Sequence, residues 1–350
     1  MAKTRMTRRE FLLGSALAAG ASAVAGCGSA GAGPTASATT PWWPADITPQ
    51  TPAGRTSAAP STAGTRQPVL RIAHLTDMHV LPFGPSKDGL GRALRHAQAL
   101  DPQPQVVFNT GDCVMDSLEA DKDTALAQWQ AFRGVFEAEC SLPVRHCIGN
   151  HDVWGWAAGG AAPADDPLYG KGMAVDQLGL PSRFYSFDQA GWHFLFLDST
   201  HPPILAATDM PYTGKLDEDQ FAWLEQELQG TPRDQPIALL SHIPILCACE
   251  FFDGPNEDSG NWVVPGAWMH IDARRMRGLF LAHPNVRLCL SGHAHQHDRV
   301  DYLGVKYVCS GAVSGNWWNG VYLDFPPAYV VVDLYDDGTS EHTFVPYDSV

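Results

Sequence analysis

The sequence predicts an α/β fold, and three features carry that prediction. Short apolar runs that read as buried strands recur at 70–75, 106–108, 144–148, 237–240 and 286–290. Stripes of helical period lie between the first of them. Each run also ends in a short polar stretch, and ligand sites of α/β sheets form where several strand C-terminal ends meet.

The elements follow in order. After Leu70–Leu75, the residues Leu90, Ala93, Leu94, Ala97 and Leu100 form one helical stripe. Leu126, Trp129, Phe132 and Phe136 form a second before the strand at Val144–Ile148. Both stripes read as core-facing. A further helix starts near Asp217, where Asp217 and Gln220 resemble a capping box and Leu216 can staple onto Phe221. Asp116 reads as the cap of the helix that follows it. Phe194–Leu197, Val305–Val308 and Ala328–Leu334 are strand-like, with few helices between the last of them.

The five strand-end stretches are Asp77-Met78-His79, Gly111-Asp112, Gly149-Asn150-His151-Asp152, Ser241-His242 and Gly292-His293-Ala294-His295. Carboxylate oxygen together with imidazole nitrogen suits Mn, Fe or Zn better than Ca or Mg, which prefer oxygen alone. No cysteine falls in any stretch, which argues against a tetrahedral structural zinc. Asp77, His79, Asp112, Asn150, His242, His293 and His295 are too many ligands for one catalytic ion with an open position. They suit two ions that share a carboxylate and a bridging water.

The ordered pattern Asp-x-His, Gly-Asp, Gly-Asn-His-Asp, His, Gly-His-x-His resembles the calcineurin-like metallophosphoesterases, and within them the bacterial cyclic-nucleotide phosphodiesterase-like branch. The resemblance implies a four-layer α/β/β/α sandwich of two mixed sheets across residues 68–350. It implies one metal on Asp77, His79 and His295, a second on Asn150, His242 and His293, Asp112 bridging, and His151 as the catalytic histidine. Purple acid phosphatases carry a tyrosine three residues after the bridging aspartate; Met115 stands there, which argues against a ferric-tyrosinate centre. The implied reaction is hydrolysis of a phosphate ester by a metal-bridging hydroxide, with His151 serving the leaving oxygen. Asp152 is read either as a carboxylate that orients an imidazole from behind or as a helix N-cap or turn residue.

The expected substrate is a small phosphodiester such as a cyclic nucleotide. No arginine lies within a metal motif to clamp a second charge, and Trp154, Trp156, Trp317 and Trp318 are candidates to stack on a base, though packing is the favoured reading of them. An exported phosphomonoesterase or nucleotidase is the alternative. A non-catalytic binding lipoprotein predicts missing ligands, and none is missing. The net charge of −15 argues against a nucleic-acid polymer as partner and against attraction to an anionic membrane by charge alone.

Residues 1–27 read as an export leader: Lys3, Arg5, Arg8 and Arg9 precede an apolar stretch from Phe11 to Gly26, too short for a membrane span. Thr7-Arg8-Arg9-Glu10-Phe11-Leu12 resembles a twin-arginine signal, so the export machinery is an expected partner and the location extracytoplasmic. Val24-Ala25-Gly26-Cys27 resembles a lipobox, which would make Cys27 the lipidated N-terminus and the membrane a partner only through that anchor; cleavage after Ala23 or Ala25 is the alternative. Residues 28–67 are rich in Ala, Thr, Ser, Gly and Pro and read as a flexible tether, interrupted by Trp42-Trp43. Seven cysteines remain beyond Cys27 without regular spacing, which leaves one or more disulfides open. Cys247 and Cys249 are too close along an extended chain to pair easily with each other. Among the other histidines, His74, His146, His193 and His283 read as structural, and His96 as solvated or structural. His297 is a candidate to support a ligating side chain from behind, and His201 and His270 are candidates to line the cleft.

Overall fold

In the computed structural model the described residues are 66–157, 162–204 and 210–347. The leader with Cys27, and the tether with Trp42-Trp43 up to residue 65, lie outside them. Arg66 pairs with Glu341 and lies over the Tyr335 ring, so the chain is docked by that point.

In chain order the elements are β1 (Pro68–Leu75), α1 (Ser86–Gln98), β2 (Val106–Asn109), α2 (Lys122–Glu139), β3 (Val144–His146), α3 (Gly172–Leu178), β4 (Tyr185–Gln189) and β5 (Trp192–Phe196). There follow β6 (Thr200–His201), β7 (Thr213–Gly214), α4 (Glu218–Gly230), β8 (Ile237–Leu240), α5 (Ala273–Ala282) and β9 (Val286–Ser291). The chain ends with β10 (His297–Tyr302), β11 (Val305–Ser310), β12 (Ala328–Tyr335) and β13 (Ser340–Pro346). One sheet runs β13-β12-β1-β2-β3, a second runs β10-β11-β9-β8-β5-β4, and β6 and β7 form a small ribbon.

Side-chain alternation along each strand explains the layering. Ile72, Phe108, Phe194, Leu240, Leu290 and Val330 face one another in a core between the two sheets. Their neighbours Ala73, Leu75 and Val107 point outward onto Leu90, Leu94, Trp129 and Phe132 of α1 and α2. On the other side Leu195, Leu239 and Cys289 point onto Phe221, Leu224, Met276 and Phe280 of α4 and α5. The result is the expected α/β/β/α sandwich of two mixed sheets.

Within the sheets β1, β2 and β3 are parallel, and so are β5, β8, β9 and β11. The strands that precede the five motifs therefore deliver them to one edge. The expected stripes are both core-facing, with Leu126, Phe136 and Leu100 only partly buried at their margins.

Two capping expectations change. Asp217 caps α4 by accepting from Gln220 N at 2.9 Å, but the Gln220 side chain turns away to the Asp198 backbone N and O. Asp116 accepts from Leu118 N and Glu119 N in a local turn, and α2 is capped by Asp121, which accepts from Thr124 N at 2.8 Å. No helix among the described residues is long and apolar enough to cross a membrane.

Candidate metal centre

Asp77, His79, Asp112, Asn150, His151, His242, His293 and His295 come together at the shared strand edge, all of them buried. The loops that carry them are hydrogen-bonded to each other. Asp77 N donates to Gly111 O, Met78 N and His79 N both donate to Asp112 O, and Gly292 N donates to His242 O. Asp112 Oδ1 accepts from His151 N, and Asp77 Oδ2 from His293 N. Such close approach needs glycine. A Cβ on Gly149 would lie 2.2 Å from Asp112 N, and one on Gly292 would lie 1.9 Å from Thr76 Oγ1.

The backbone is strained where the ligand candidates sit. Asp77, His79, Asp112, His293 and His295 have φ of 54°, 43°, 52°, 72° and 58°. Left-handed non-glycine residues cost of order 1–3 kcal/mol each and persist where the surroundings over-determine them.

Three backbone carbonyls set the imidazole tautomers. His242 Nδ1 donates to Thr110 O, His293 Nε2 to Ala267 O and His295 Nδ1 to Gly315 O, at 2.9, 2.9 and 2.6 Å. The opposite nitrogen of each ring faces the site, and offers it a lone pair whenever the ring is neutral. These lone pairs meet other acceptors. His242 Nε2 is 2.9 Å from Asn150 Oδ1, 3.1 Å from His293 Nδ1 and 3.2 Å from Asp112 Oδ2. His295 Nε2 is 3.3 Å from Asp77 Oδ1 and 3.0 Å from His79 Nε2, which is 3.6 Å from Asp112 Oδ2. Acceptors so packed in a buried site call for cations between them.

The titration behaviour has the same origin. Burial alone would raise the Asp112 carboxyl, but His242, His151 and His79 outweigh it and hold it well below the usual carboxylate range. Burial would lower His242, yet Asp112 overrides this and lifts it to about 9. Burial drives His79 well down. Without metal, a proton on His242 is thus the positive charge that Asp112 holds. The donor set fits divalent metal: Asp77 Oδ1, His79 Nε2 and His295 Nε2 face one position, and Asn150 Oδ1, His242 Nε2 and His293 Nδ1 face another. Asp112 Oδ2 stands beside both.

The family now follows. A calcineurin-like phosphoesterase family model matches residues 70–297, more than half of the chain and all five motifs. This chain belongs to the calcineurin-like phosphoesterases. It is 24% identical over 286 residues to a 3′,5′-cyclic-nucleotide phosphodiesterase of Nostoc sp., covering 77% of this chain and 90% of that one. It is 23% identical over 249 residues to a 3′,5′-cyclic adenosine monophosphate phosphodiesterase of Vibrio vulnificus, covering 69% and 75%. A dimetal phosphatase of Danio rerio has the same fold, with a TM-score of 0.54 at 16% identity, covering 81% of this chain and 100% of that one.

Other expectations sort clearly in this phosphoesterase. Asp152 touches no imidazole in its described hydrogen bonds: it accepts from Gly149 N, Cys113 N and Val114 N and so ties the second motif to the third. Burial first, then Asp112, raises its carboxyl to about 6. His297 Nδ1 donates to Cys309 O and its ring stacks on Phe344 rather than supporting the ligands. His201 lies near Asp198 and His270 pairs with Asp272. His74, His146 and His193 are structural, bridging Thr110 and Ser310, contacting Asn109, and joining Asp188 to Glu227. Trp154 is core, with its Nε1 on Ala120 O. Trp317 does reach the site, where its ring stacks on His295. The seven described cysteines are all free thiols. The carbonyls of Thr110, Ala267 and Gly315 were invisible in the sequence, since any residue supplies one.

Proposed function

We propose that this phosphoesterase is a dinuclear-metal hydrolase of small phosphodiesters, a cyclic nucleotide being the leading class. The observation that carries the reading is the position of Asp112, whose Oδ2 lies 3.2 Å from His242 Nε2 and 3.6 Å from His79 Nε2, one from each donor set. Two divalent ions (Fe, Mn or Zn by donor chemistry) would supply an activated water near neutral pH and charge for the phosphoryl oxygens.

The chain's own residues do the rest. Asp77, His79 and His295 hold one position; Asn150, His242 and His293 hold the other. Asn150 contributes a neutral oxygen, which keeps the ligand charge low. His151 is held by its backbone N–H on Asp112 Oδ1, with its ring 4.9 Å from that of His79. It is the most solvent-reached of the eight at 6% exposure, the position needed by a group that serves the leaving oxygen.

Two facts support a diester over a monoester. The first two basic residues after the third motif, Lys171 and Arg183, both engage Asp198 instead of standing ready for a second phosphate charge. The relatives from Nostoc and Vibrio are named for cyclic-nucleotide hydrolysis. The leader is proposed to direct export.

The test is a comparison of bis(p-nitrophenyl) phosphate, p-nitrophenyl phosphate and 3′,5′-cyclic AMP as substrates of the purified chain loaded with Mn²⁺ or Zn²⁺. Preferred hydrolysis of the diesters is expected. A preference for the monoester would favour the exported phosphomonoesterase, and no hydrolysis of any of the three would end the enzymatic reading.

A further inference from the structure

One loop, Ala312–Gly320, touches all three residues of the first donor set. Val313 N donates to Thr76 O and Ser314 N to Asp77 O, at 3.0 and 3.1 Å. Gly315 O accepts from His295 Nδ1. The Trp317 ring stacks on the His295 imidazole with centroids 4.2 Å apart and planes at 30°, and lies 5.8 Å from His79. Trp318 Nε1 donates to both Met78 O and His79 O at 3.0 Å. Its ring fills the space over Gly89 of α1, where an added Cβ would meet it at 2.0 Å.

The loop adopts this shape against local preference. Gly315, Trp317, Trp318 and Gly320 have φ of 56°, 45°, 67° and 94°. A left-handed conformation disfavours a residue with a Cβ by roughly 1–2 kcal/mol, and here two bulky residues adopt it in succession. Such geometry persists only when several contacts hold it. The histidines of the second donor set are anchored elsewhere, His242 on Thr110 O and His293 on Ala267 O.

We propose that the Ala312–Gly320 loop is a clamp for the first divalent-cation position, with Trp317 as a positioning residue that fixes the plane of the His295 imidazole. The proposal rests on the dinuclear reading above. Gly315 O sets the tautomer, so the lone pair of His295 Nε2 points towards Asp77 and His79. The stacked indole stops rotation about the remaining side-chain torsion. Partners of ligating histidines typically change metal affinity by about 10–100-fold, so losing the indole should weaken the first position selectively.

The experiment titrates the full chain and its Trp317→Ala and Trp317→Phe variants with Mn²⁺, reading calorimetric stoichiometry and the spin-coupled resonance of a Mn pair. The parent should take up two equivalents. Trp317→Ala should keep one equivalent at parental affinity, lose about 10–100-fold at the other, and show the coupled signal only at higher Mn²⁺. Trp317→Phe keeps a ring to stack and should recover most of the loss, which a merely misfolded variant pair would not show. Unchanged affinity in Trp317→Ala, equal weakening of both positions, or a Phe variant no better than Ala would overturn the clamp while leaving the two-ion parent intact. A parent that binds fewer than two equivalents would overturn the dinuclear reading and the clamp together.

Discussion

Asp112 is the residue on which the two donor sets meet, and its carboxylate favours a proton on the neighbouring His242 that a cation has to displace. In the metal-free protein its carboxylate holds His242 protonated to about pH 9, despite the burial that opposes this. A metal must displace that proton, so uptake is coupled to pH. Because the folded pKa of His242 is raised, its charge pairing stabilises the metal-free fold below about pH 6.5 and is lost as pH rises through about 9. Metal affinity should run the other way and increase over that interval. Calorimetry of Mn²⁺ binding at pH 7 in buffers of different ionisation heat should show proton release, and none is expected if His242 is already neutral. Two substitutions separate the roles of neighbouring residues. Asp112→Ala should disrupt metal binding and lose nearly all turnover, since its carboxylate stands beside both donor sets. His151→Ala should keep its metal while turnover drops about 10²–10⁴-fold, the usual worth of a positioned acid or base. Elemental analysis beside steady-state rates checks the pair, and equal metal loss in both would contradict it.

At the scale of elements, the motifs act as a set of interlocked loops rather than as separate strand tips. Asp152 is the clearest case, because its carboxylate accepts three backbone N–H groups from two loops. Asp152→Ala leaves those buried donors unpaired, at about 1–3 kcal/mol each. Urea unfolding should register a loss of at least about 1–3 kcal/mol, and metal affinity should fall because Asp112 adjoins Cys113 in the same loop. A variant as stable as the parent would show that the carboxylate does not tie the motifs. Much of this scale was legible in the sequence: the apolar runs end at the motifs because β1, β2, β3, β8 and β9 end there. The side-chain destinations were less legible. Gln220 fits a capping box by spacing, but a tertiary partner, the Asp198 backbone, captures its amide. Asp116 precedes a helix, yet Asp121 stands closer to its first turn.

For the whole molecule, the sandwich brings two sheets' strand ends to one edge, and it holds several buried or half-buried histidines without charge. Burial lowers His74 to about 3 and His146 to about 4. Burial, with Lys306 next, lowers His342 to about 3. An unfolded chain protonates these rings near pH 6.5, whereas the folded one does not until far lower pH. Stability should therefore fall steadily from about pH 6.5 to about pH 4. A melting temperature flat across that range would contradict neutral burial. The sandwich itself followed from the motif pattern more than from periodicity, which specifies alternating strands and helices but not which sheet faces which. The tryptophan loop was the least legible part. Trp317 and Trp318 carry no local preference for left-handed backbone, so only the packed molecule reveals that one indole lies on His295. The proposed role of Asp112 is to couple two cations into one hydrolytic unit. Its most direct test is diester turnover measured while metal is added stepwise to the metal-free chain. Activity should stay low through the first equivalent and rise with the second; full activity at one equivalent or at none would contradict it.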